Sequence, residues 1–282
     1  MPELTLDQGT IRYRDEGAGP VLLFVHGALV DGRLWEPVVD RLRDRFRCVV
    51  PDLPLGSHQL PMRPDADLSP HGLARIVTDL AQRLELDDVT LIGNDTGGAL
   101  CQLAVVAAPE RIGRLVLTDC DAFGDFPPKA FKGLIAAARV PGALRAMLAP
   151  MRSRAARRLP IAYGWLSKRP IPDDVTDGWV LPALRDRAIM ADLRRALAGI
   201  DPNVLLDNTP KLSSFEKPVL LAWAREDRFF KLEHAHRLAK IFPDARVEEI
   251  DDSYAFVSWD RPELLAELIG AFARQSAGSV AA

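Results

Sequence analysis

A single carboxylate, Asp95, stands between two glycines in the order Gly-Asn-Asp-Thr-Gly. The β-branched apolar run 89–92 precedes it and is typical of a buried parallel strand, while the small and apolar run 98–108 after it indicates a buried helix. A strand that turns so sharply into a helix needs small neighbours, and it leaves the central side chain exposed on a strained turn. Such a carboxylate can attack a carbon electrophile or move a proton. The alternative is that Asp95 only caps the helix.

The arrangement resembles the nucleophile elbow of the α/β-hydrolase superfamily, in the branch whose elbow carries Asp, as in epoxide hydrolases and haloalkane dehalogenases. A second motif agrees: the apolar strand pattern at 21–25 ends in His26-Gly27-Ala28, which is similar to the family's H-G-x segment. The resemblance implies two oxyanion donors, the backbone amides of Ala28 and Thr96. His26 borders the expected pocket and is interpreted as mainly structural.

The resemblance also predicts the fold: an α/β-hydrolase fold with a mostly parallel, eight-stranded sheet and an inserted helical lid. Buried-strand patterns occur in residues 1–121 and 215–282, which we expect to form the core. In residues 122–214 the strand patterns stop and helical pieces broken by prolines take over, so we expect the lid there. The active site would lie at the carboxyl ends of the parallel strands.

An ester formed on Asp95 must be hydrolysed, and in this family a histidine polarised by a second acid activates the water. The resemblance assigns the acid to Asp227, which follows the first strand after the lid, or to Asp119, one strand earlier. The histidine normally precedes the Pro-Glu that opens the last helix. That position holds Ala255, in Ser-Tyr-Ala-Phe.

Three explanations of Ala255 stay open: the histidine has been exchanged on purpose to trap an ester, another histidine replaces it, or the protein does not turn over an ester. In the last case Asp95 acts as a base or a polar anchor. His58 is the best substitute, because its loop resembles the one at the family's active-site mouth. His234 and His236 lie two apart on a predicted helix and point to different faces, so no metal site is expected.

The expected substrate class follows from further residues. Haloalkane dehalogenases usually hold the halide with a Trp after the nucleophile and an Asn or similar group after H-G, where this chain has Thr96 and Ala28. Epoxide hydrolases protonate the epoxide oxygen with lid tyrosines; the lid offers Tyr163, and Tyr254 in the altered histidine turn is a second pocket residue. The sequence therefore favours an epoxide-hydrolase-like enzyme, with a lyase or cyclase, or a ligand-binding protein, as alternatives.

The composition of the chain argues against several other classes of function. The chain has 282 residues, 48% of them hydrophobic, and a formal net charge of −3, which argues against general nucleic-acid binding. Three cysteines in apolar settings indicate reduced thiols, and we find neither a signal-peptide pattern nor a membrane-length apolar run. We therefore expect a cytoplasmic enzyme with a small-molecule substrate, no cofactor and no membrane partner; a homodimer is compatible with the sequence.

Overall fold

In the computed structural model, which describes residues 1–275, one eight-stranded sheet forms the centre of the molecule. In chain order its strands are β1 (Glu3–Leu6), β2 (Gly9–Glu16), β3 (Val21–Val25), β4 (Arg47–Pro51), β5 (Val89–Asp95), β6 (Ile112–Cys120), β7 (Val219–Ala224) and β8 (Ala245–Ile250).

The sheet has the spatial order β1-β2-β4-β3-β5-β6-β7-β8. β1 and β2 form an antiparallel hairpin and β2 pairs antiparallel with β4, whereas all pairs from β4 to β8 are parallel. The parallel strands β5, β6 and β7 are apolar and almost fully buried because helices cover both faces. The predicted fold class, an α/β-hydrolase fold with a mostly parallel sheet, is confirmed.

The described chain also contains twelve α-helices. They are α1 (Glu36–Leu42), α2 (Pro70–Arg83), α3 (Thr96–Ala107), α4 (Lys132–Ala138), α5 (Ala143–Leu148), α6 (Arg154–Arg157), α7 (Asp173–Arg185), α8 (Arg187–Ala198), α9 (Val204–Asn208), α10 (Leu232–Ala239), α11 (Val257–Asp260) and α12 (Pro262–Ala273). Within residues 1–275 no helix is long and apolar enough to cross a membrane.

The connection between β6 and β7 contains α4 to α9 and no strand. It includes the predicted lid, and several of its side chains hydrogen-bond to loops that follow β3, β4 and β8. We propose that residues 122–214 are this lid and that the rest of the described chain is the core.

The junction of β5 and α3 is where the sheet presents Asp95. β5 lies between β3 and β6 in the middle of the parallel sheet, and α3 begins at the next residue. A Cβ on Gly93 would lie 2.7 Å from the Cα of Gly98, so the strand and the helix approach as closely as they do only because both residues are glycine. Asp95 itself has φ 54° and ψ −134°, a conformation that non-glycine residues rarely adopt.

Candidate active site

The Asp95 carboxylate receives hydrogen bonds on only one of its two oxygens from the described residues. Its Oδ1 accepts hydrogen bonds from the Thr96 amide at 2.6 Å and from the Thr96 hydroxyl at 3.3 Å. Its Oδ2 lies against Gly27, where an added Cβ would come within 2.5 Å of that oxygen. The glycine of the His-Gly-Ala segment therefore leaves room for the carboxylate, and Oδ2 receives no hydrogen bond from the described residues.

Asp95 binds its proton more tightly than an ordinary aspartate. Asp95 as a whole is partly accessible to solvent, but protein surrounds most of its carboxylate. This desolvation raises the pKa of Asp95 from 3.8 to about 7. The hydrogen bonds from Thr96 lower the pKa, and the negative charge of Asp227 raises it further. Both protonation states of Asp95 are therefore populated near neutral pH.

The two predicted oxyanion donors lie beside one small cavity. Ala28 and Thr96 both line it, and its other walls are apolar, with contributions from Leu55, Leu100 and Phe126. The space open to the centre of a water molecule is about 10 Å³, which is close to the minimum needed for one water. The structure thus brings the Ala28 and Thr96 segments to the same side of the elbow.

Asp227 and Asp119, which the sequence offers as alternative acids, lie close enough that each changes the pKa of the other. Asp227 Oδ1 accepts from the amides of Phe229 at 2.6 Å and Phe230 at 3.1 Å, and Asp119 accepts from the Ala224 amide at 3.0 Å. Burial and the charge of Asp227 raise the pKa of Asp119 well above its usual range, while the pKa of Asp227, raised by burial, is about 6. The proton affinity of Asp119 is therefore higher than that of Asp227.

The position of the usual histidine is fully buried and carries no ionisable group. The Ala255 carbonyl accepts a hydrogen bond from Asn94 Nδ2 at 2.9 Å, which ties this turn to the end of β5. Asp227 Oδ2 is buried and receives no hydrogen bond from an N–H group or a hydroxyl. The acid of the family's arrangement is thus present, but the group that it would polarise is not.

His58 is not brought to Asp95. Its Nδ1 accepts from the Gly56 amide at 3.4 Å, and its Nε2 lies 3.2 Å from Asp192 Oδ2 in α8. Both ring nitrogens are engaged, and the hydrogen bonds to the Asp95 carboxylate come from Thr96 alone. The arrangement does not support His58 as the substitute base; His58 fastens its loop to the segment between β6 and β7.

His26 has the structural surroundings expected of it. Its ring is fully buried, its Nε2 accepts from the Leu53 amide at 2.8 Å, and its Nδ1 lies 2.8 Å from the Gly27 carbonyl, to which it donates. Burial lowers the pKa of His26, so the ring is neutral. It holds the loop after β4 against the His-Gly-Ala segment.

The two tyrosines differ in position. Tyr163 is buried, its hydroxyl donates to the Leu29 carbonyl at 2.6 Å, and its ring contacts Trp179 with centroids 5.2 Å apart. Tyr254 is half-buried, and its hydroxyl accepts from Arg228, an exposed side chain, at 2.7 Å. Only Tyr163 lies next to the loop that carries Ala28, and its hydroxyl is already engaged there.

A further carboxyl, Asp121, was not selected from the sequence. It is almost fully buried just after β6, and its Oδ2 lies 3.5 Å from the hydroxyl of Thr96. The sequence did contain a signal for Asp121: it lies two residues after Asp119 at the end of the strand next to β5, so both side chains point to the same face of the sheet. Within residues 1–275 no cluster of three His, Cys, Asp or Glu side chains is arranged to hold a metal ion.

Comparison with known proteins identifies the class. The family model described as alpha/beta hydrolase fold matches residues 20–262. The chain belongs to this family, as the elbow and the His-Gly-Ala segment predicted.

Relatives across the whole chain include two enzymes. Haloalkane dehalogenase 2 of Mycobacterium tuberculosis is 29% identical over 281 residues, which cover 93% of this chain and 91% of the relative. A cis-3-alkyl-4-alkyloxetan-2-one decarboxylase of Xanthomonas campestris is 28% identical over 277 residues, covering 92% and 91%. The chain is therefore an enzyme-family member related both to dehalogenases and to a decarboxylase.

Solved structures agree on the fold. An alpha/beta hydrolase fold protein from Burkholderia ambifaria has a TM-score of 0.77 at 23% identity, covering 95% of this chain and 96% of that one. A thermophilic esterase from Thermogutta terrifontis has a TM-score of 0.73 at 22% identity, covering 97% of each.

Proposed function

We propose that this protein is a hydrolase of small, uncharged organic molecules in which Asp95 is the nucleophile. One observation carries the proposal: Asp95 stands on the strained elbow with Oδ1 held by Thr96 and Oδ2 free of hydrogen bonds. A carboxylate so oriented can attack with Oδ2 while Oδ1 becomes the carbonyl oxygen of the ester. The Thr96 amide, and that of Ala28 across the small cavity, would then stabilise the charge on Oδ1 when water attacks.

The lining of the cavity supports an apolar substrate. Leu55, Leu73, Leu100, Phe126 and Leu197 contribute to it, and no charged side chain does. Because the cavity holds about one water, a larger substrate must displace side chains from the segment between β6 and β7.

We favour a strained oxygen ring over an alkyl halide as the natural electrophile. Thr96 and Ala28 offer no indole N–H or side-chain amide for a halide. The Trp179 Nε1 donates to Asp31 Oδ1 at 2.9 Å and is not free for another acceptor. Opening an epoxide or lactone ring instead produces an alkoxide or carboxylate, which needs a hydrogen-bond donor or a proton.

A second candidate is a lyase that releases carbon dioxide from a four-membered lactone. Two observations favour it: the relative named as an oxetan-2-one decarboxylase, and the absence of any histidine among the hydrogen-bond partners of Asp95 in the described chain. Loss of carbon dioxide from such a ring leaves an alkene and consumes no water, so it needs no base to activate water.

Intact-mass spectrometry with a substrate panel tests both candidates. The protein is incubated with epoxyhexane, bromohexane and a dialkyl oxetanone in water enriched in oxygen-18. An adduct of the substrate's mass that peptide mapping places on Asp95, followed by entry of the label first into the Asp95 carboxyl and then, over further turnovers, into product, supports the hydrolase. Alkene without label supports the lyase. If neither adduct nor product forms, and Asp95→Asn binds the same compounds equally well, both proposals fail and a ligand-binding role remains.

A further inference from the structure

A chain of oxygen atoms joins Asp95 to a second carboxyl through one hydroxyl. The Thr96 Oγ1 lies 3.3 Å from Asp95 Oδ1 and 3.5 Å from Asp121 Oδ2. These separations are long, as catalytic hydrogen bonds often are before substrate binds. Asp121 is 1% exposed, and its Oδ1 has no hydrogen-bond partner. No cation or N–H group therefore fixes Asp121 as a charged carboxylate.

The direction of the hydrogen bonds follows from proton counting. Burial, together with the neighbouring charge of Asp95, raises the pKa of Asp121 well above its usual range, so its carboxyl is neutral. A hydroxyl has one hydrogen to give and can accept another. With Asp121 protonated and Asp95 ionised, Asp121 can donate to Thr96 Oγ1 while the Thr96 hydroxyl donates to Asp95 Oδ1.

We propose that Asp121 supplies a proton through the Thr96 hydroxyl to Oδ1 of the Asp95 ester, so that water can hydrolyse this ester without a histidine. The inference rests on the proposed hydrolase function. Asp121 acts through Thr96 and does not touch the substrate.

The step balances as an acid-assisted ester hydrolysis. Water oxygen bonds to Cγ of Asp95, and the electron pair of the C=O bond moves to Oδ1, which takes the Thr96 hydroxyl proton. Thr96 regains a proton from Asp121. When the intermediate collapses, Oδ1 returns its proton along the same path, the bond between Cγ and the alkoxy oxygen breaks, and that oxygen leaves with a proton from the attacking water. The products are the alcohol and the Asp95 acid.

The test follows ester formation and ester decay separately, by rapid-quench intact mass with bromohexane. Bromide leaves without needing a proton, so Asp121→Asn forms the adduct at the wild-type rate but releases it at least about tenfold more slowly. Thr96→Val keeps the size and the backbone amide but removes the hydroxyl; it likewise slows decay, and its adduct formation is compared with wild type at pH 9, where the Asp95 carboxylate is ionised in both. Thr96→Ser restores the decay rate. Asp125→Asn, a surface carboxyl that pairs with Lys231, is the charge control and matches wild type.

The outcomes separate the two proposals. If wild type and Asp121→Asn release the adduct at equal rates, the role of Asp121 is refuted while the Asp95 nucleophile stands. If wild type forms no adduct with bromohexane or with epoxyhexane, the proposed hydrolase function fails first. If Asp121→Asn slows formation and decay equally, or Thr96→Ser fails to restore decay, the side chains only support the site. Thermal melting of each variant excludes loss of fold as the cause.

Discussion

Two sets of buried or partly buried aspartates in this molecule differ in the donors that surround them. The elbow set, Asp95, Asp119, Asp121 and Asp227, gathers at the ends of β5, β6 and β7 and has no cationic partner among its hydrogen bonds. The seam set, Asp31, Asp192 and Asp260, joins the core to the segment between β6 and β7. Each member of the seam set accepts at least three hydrogen bonds.

Asp192 shows what the seam set gains from its donors. Burial alone raises its pKa, but hydrogen bonds from His58, the Met62 amide and Arg195 outweigh this, and the net pKa is lowered. Asp119 is buried as deeply and receives only the Ala224 amide, and its pKa is raised. Two buried carboxyls therefore have opposite pKa shifts, because Asp192 receives more donors, one of them cationic, whereas Asp119 has the negative charge of Asp227 beside it.

The comparison indicates a division of roles. A seam carboxylate fastens two parts of the chain, so its removal leaves buried donors without a partner. In the elbow set, Asp95 and Asp227 gain or lose a proton near neutral pH, which suits them to chemistry, and their burial without a cationic partner lowers stability. Substitutions at the two sets should therefore change different properties.

The largest effect is expected for Asp95→Asn. The amide cannot form an ester, so adduct formation with bromohexane should fall by at least about 10³-fold, while the melting temperature stays equal or rises because a desolvated carboxyl has been removed. Quench-flow mass spectrometry and thermal melting measure the two properties. A lower melting temperature would contradict the division, because it would give Asp95 the role of a seam residue.

Asp260→Ala should produce the largest loss of stability, about 3 kcal/mol in the free energy of unfolding. The Ser167 hydroxyl and the amides of Lys168, Arg169 and Tyr254 would lose their common acceptor. The matched elbow variant is Asp119→Asn, which resembles the neutral acid already present and should change stability by less than about 1 kcal/mol. Urea unfolding measures the free energy of unfolding of both variants, and equal losses would contradict the proposed difference between the seam set and the elbow set.

Ala255→His tests whether the elbow set lacks only its usual base. The imidazole would give the buried Asp227 Oδ2 a donor and could activate water, so decay of the Asp95 ester should accelerate by about 10²-fold. Ala255→Gln is the control, since it adds comparable bulk without a base. If both variants accelerate decay equally, or neither does although both remain folded, the position does not serve as the site of a base.

The sequence was sufficient for the parts of the site that depend on local chain geometry. Gly93 and Gly97 around Asp95 mark the elbow, because only small residues permit that strand–helix contact, and Ala255 was located by its spacing to Pro262. Each of these features lies within one short segment of the chain, so the sequence alone identifies it.

The rest depended on contacts between distant segments. His58 contacts Asp192, which lies 134 residues later, and no periodicity in the sequence predicts that contact. Asp119 lies at the end of β6 and Asp227 follows β7, and each changes the pKa of the other only because the sheet places these strands side by side. Which carboxyls are charged is thus a property of the assembled donors, and the sequence could present Asp119 and Asp227 only as alternatives.

The smallest expected effect is a shift in the pH dependence of ester formation. Because the pKa of Asp95 is about 7 and only the carboxylate attacks, the rate with bromohexane should rise with pH, reach a plateau above about pH 8, and at pH 6 be roughly one tenth of the plateau. Asp227→Asn removes a negative charge that raises this pKa, so the midpoint should move to lower pH.

The same pKa makes an opposite prediction for stability. The folded state holds the Asp95 proton between its ordinary pKa of 3.8 and about 7, so the stability that this group contributes is complete below the lower value and is lost as pH rises through about 7. The stability difference between Asp95→Asn and wild type, measured by urea unfolding, should therefore grow in favour of the variant from pH 5 to pH 8. For Asp192→Asn the difference should not follow this trend, because hydrogen bonds lower the pKa of Asp192 and its carboxylate stays charged across this range. If the midpoint of the rate against pH lies near the ordinary pKa of aspartate, and the stability difference for Asp95→Asn does not grow with pH, then Asp95 behaves like a seam residue. The proposed difference between the two sets would then be wrong.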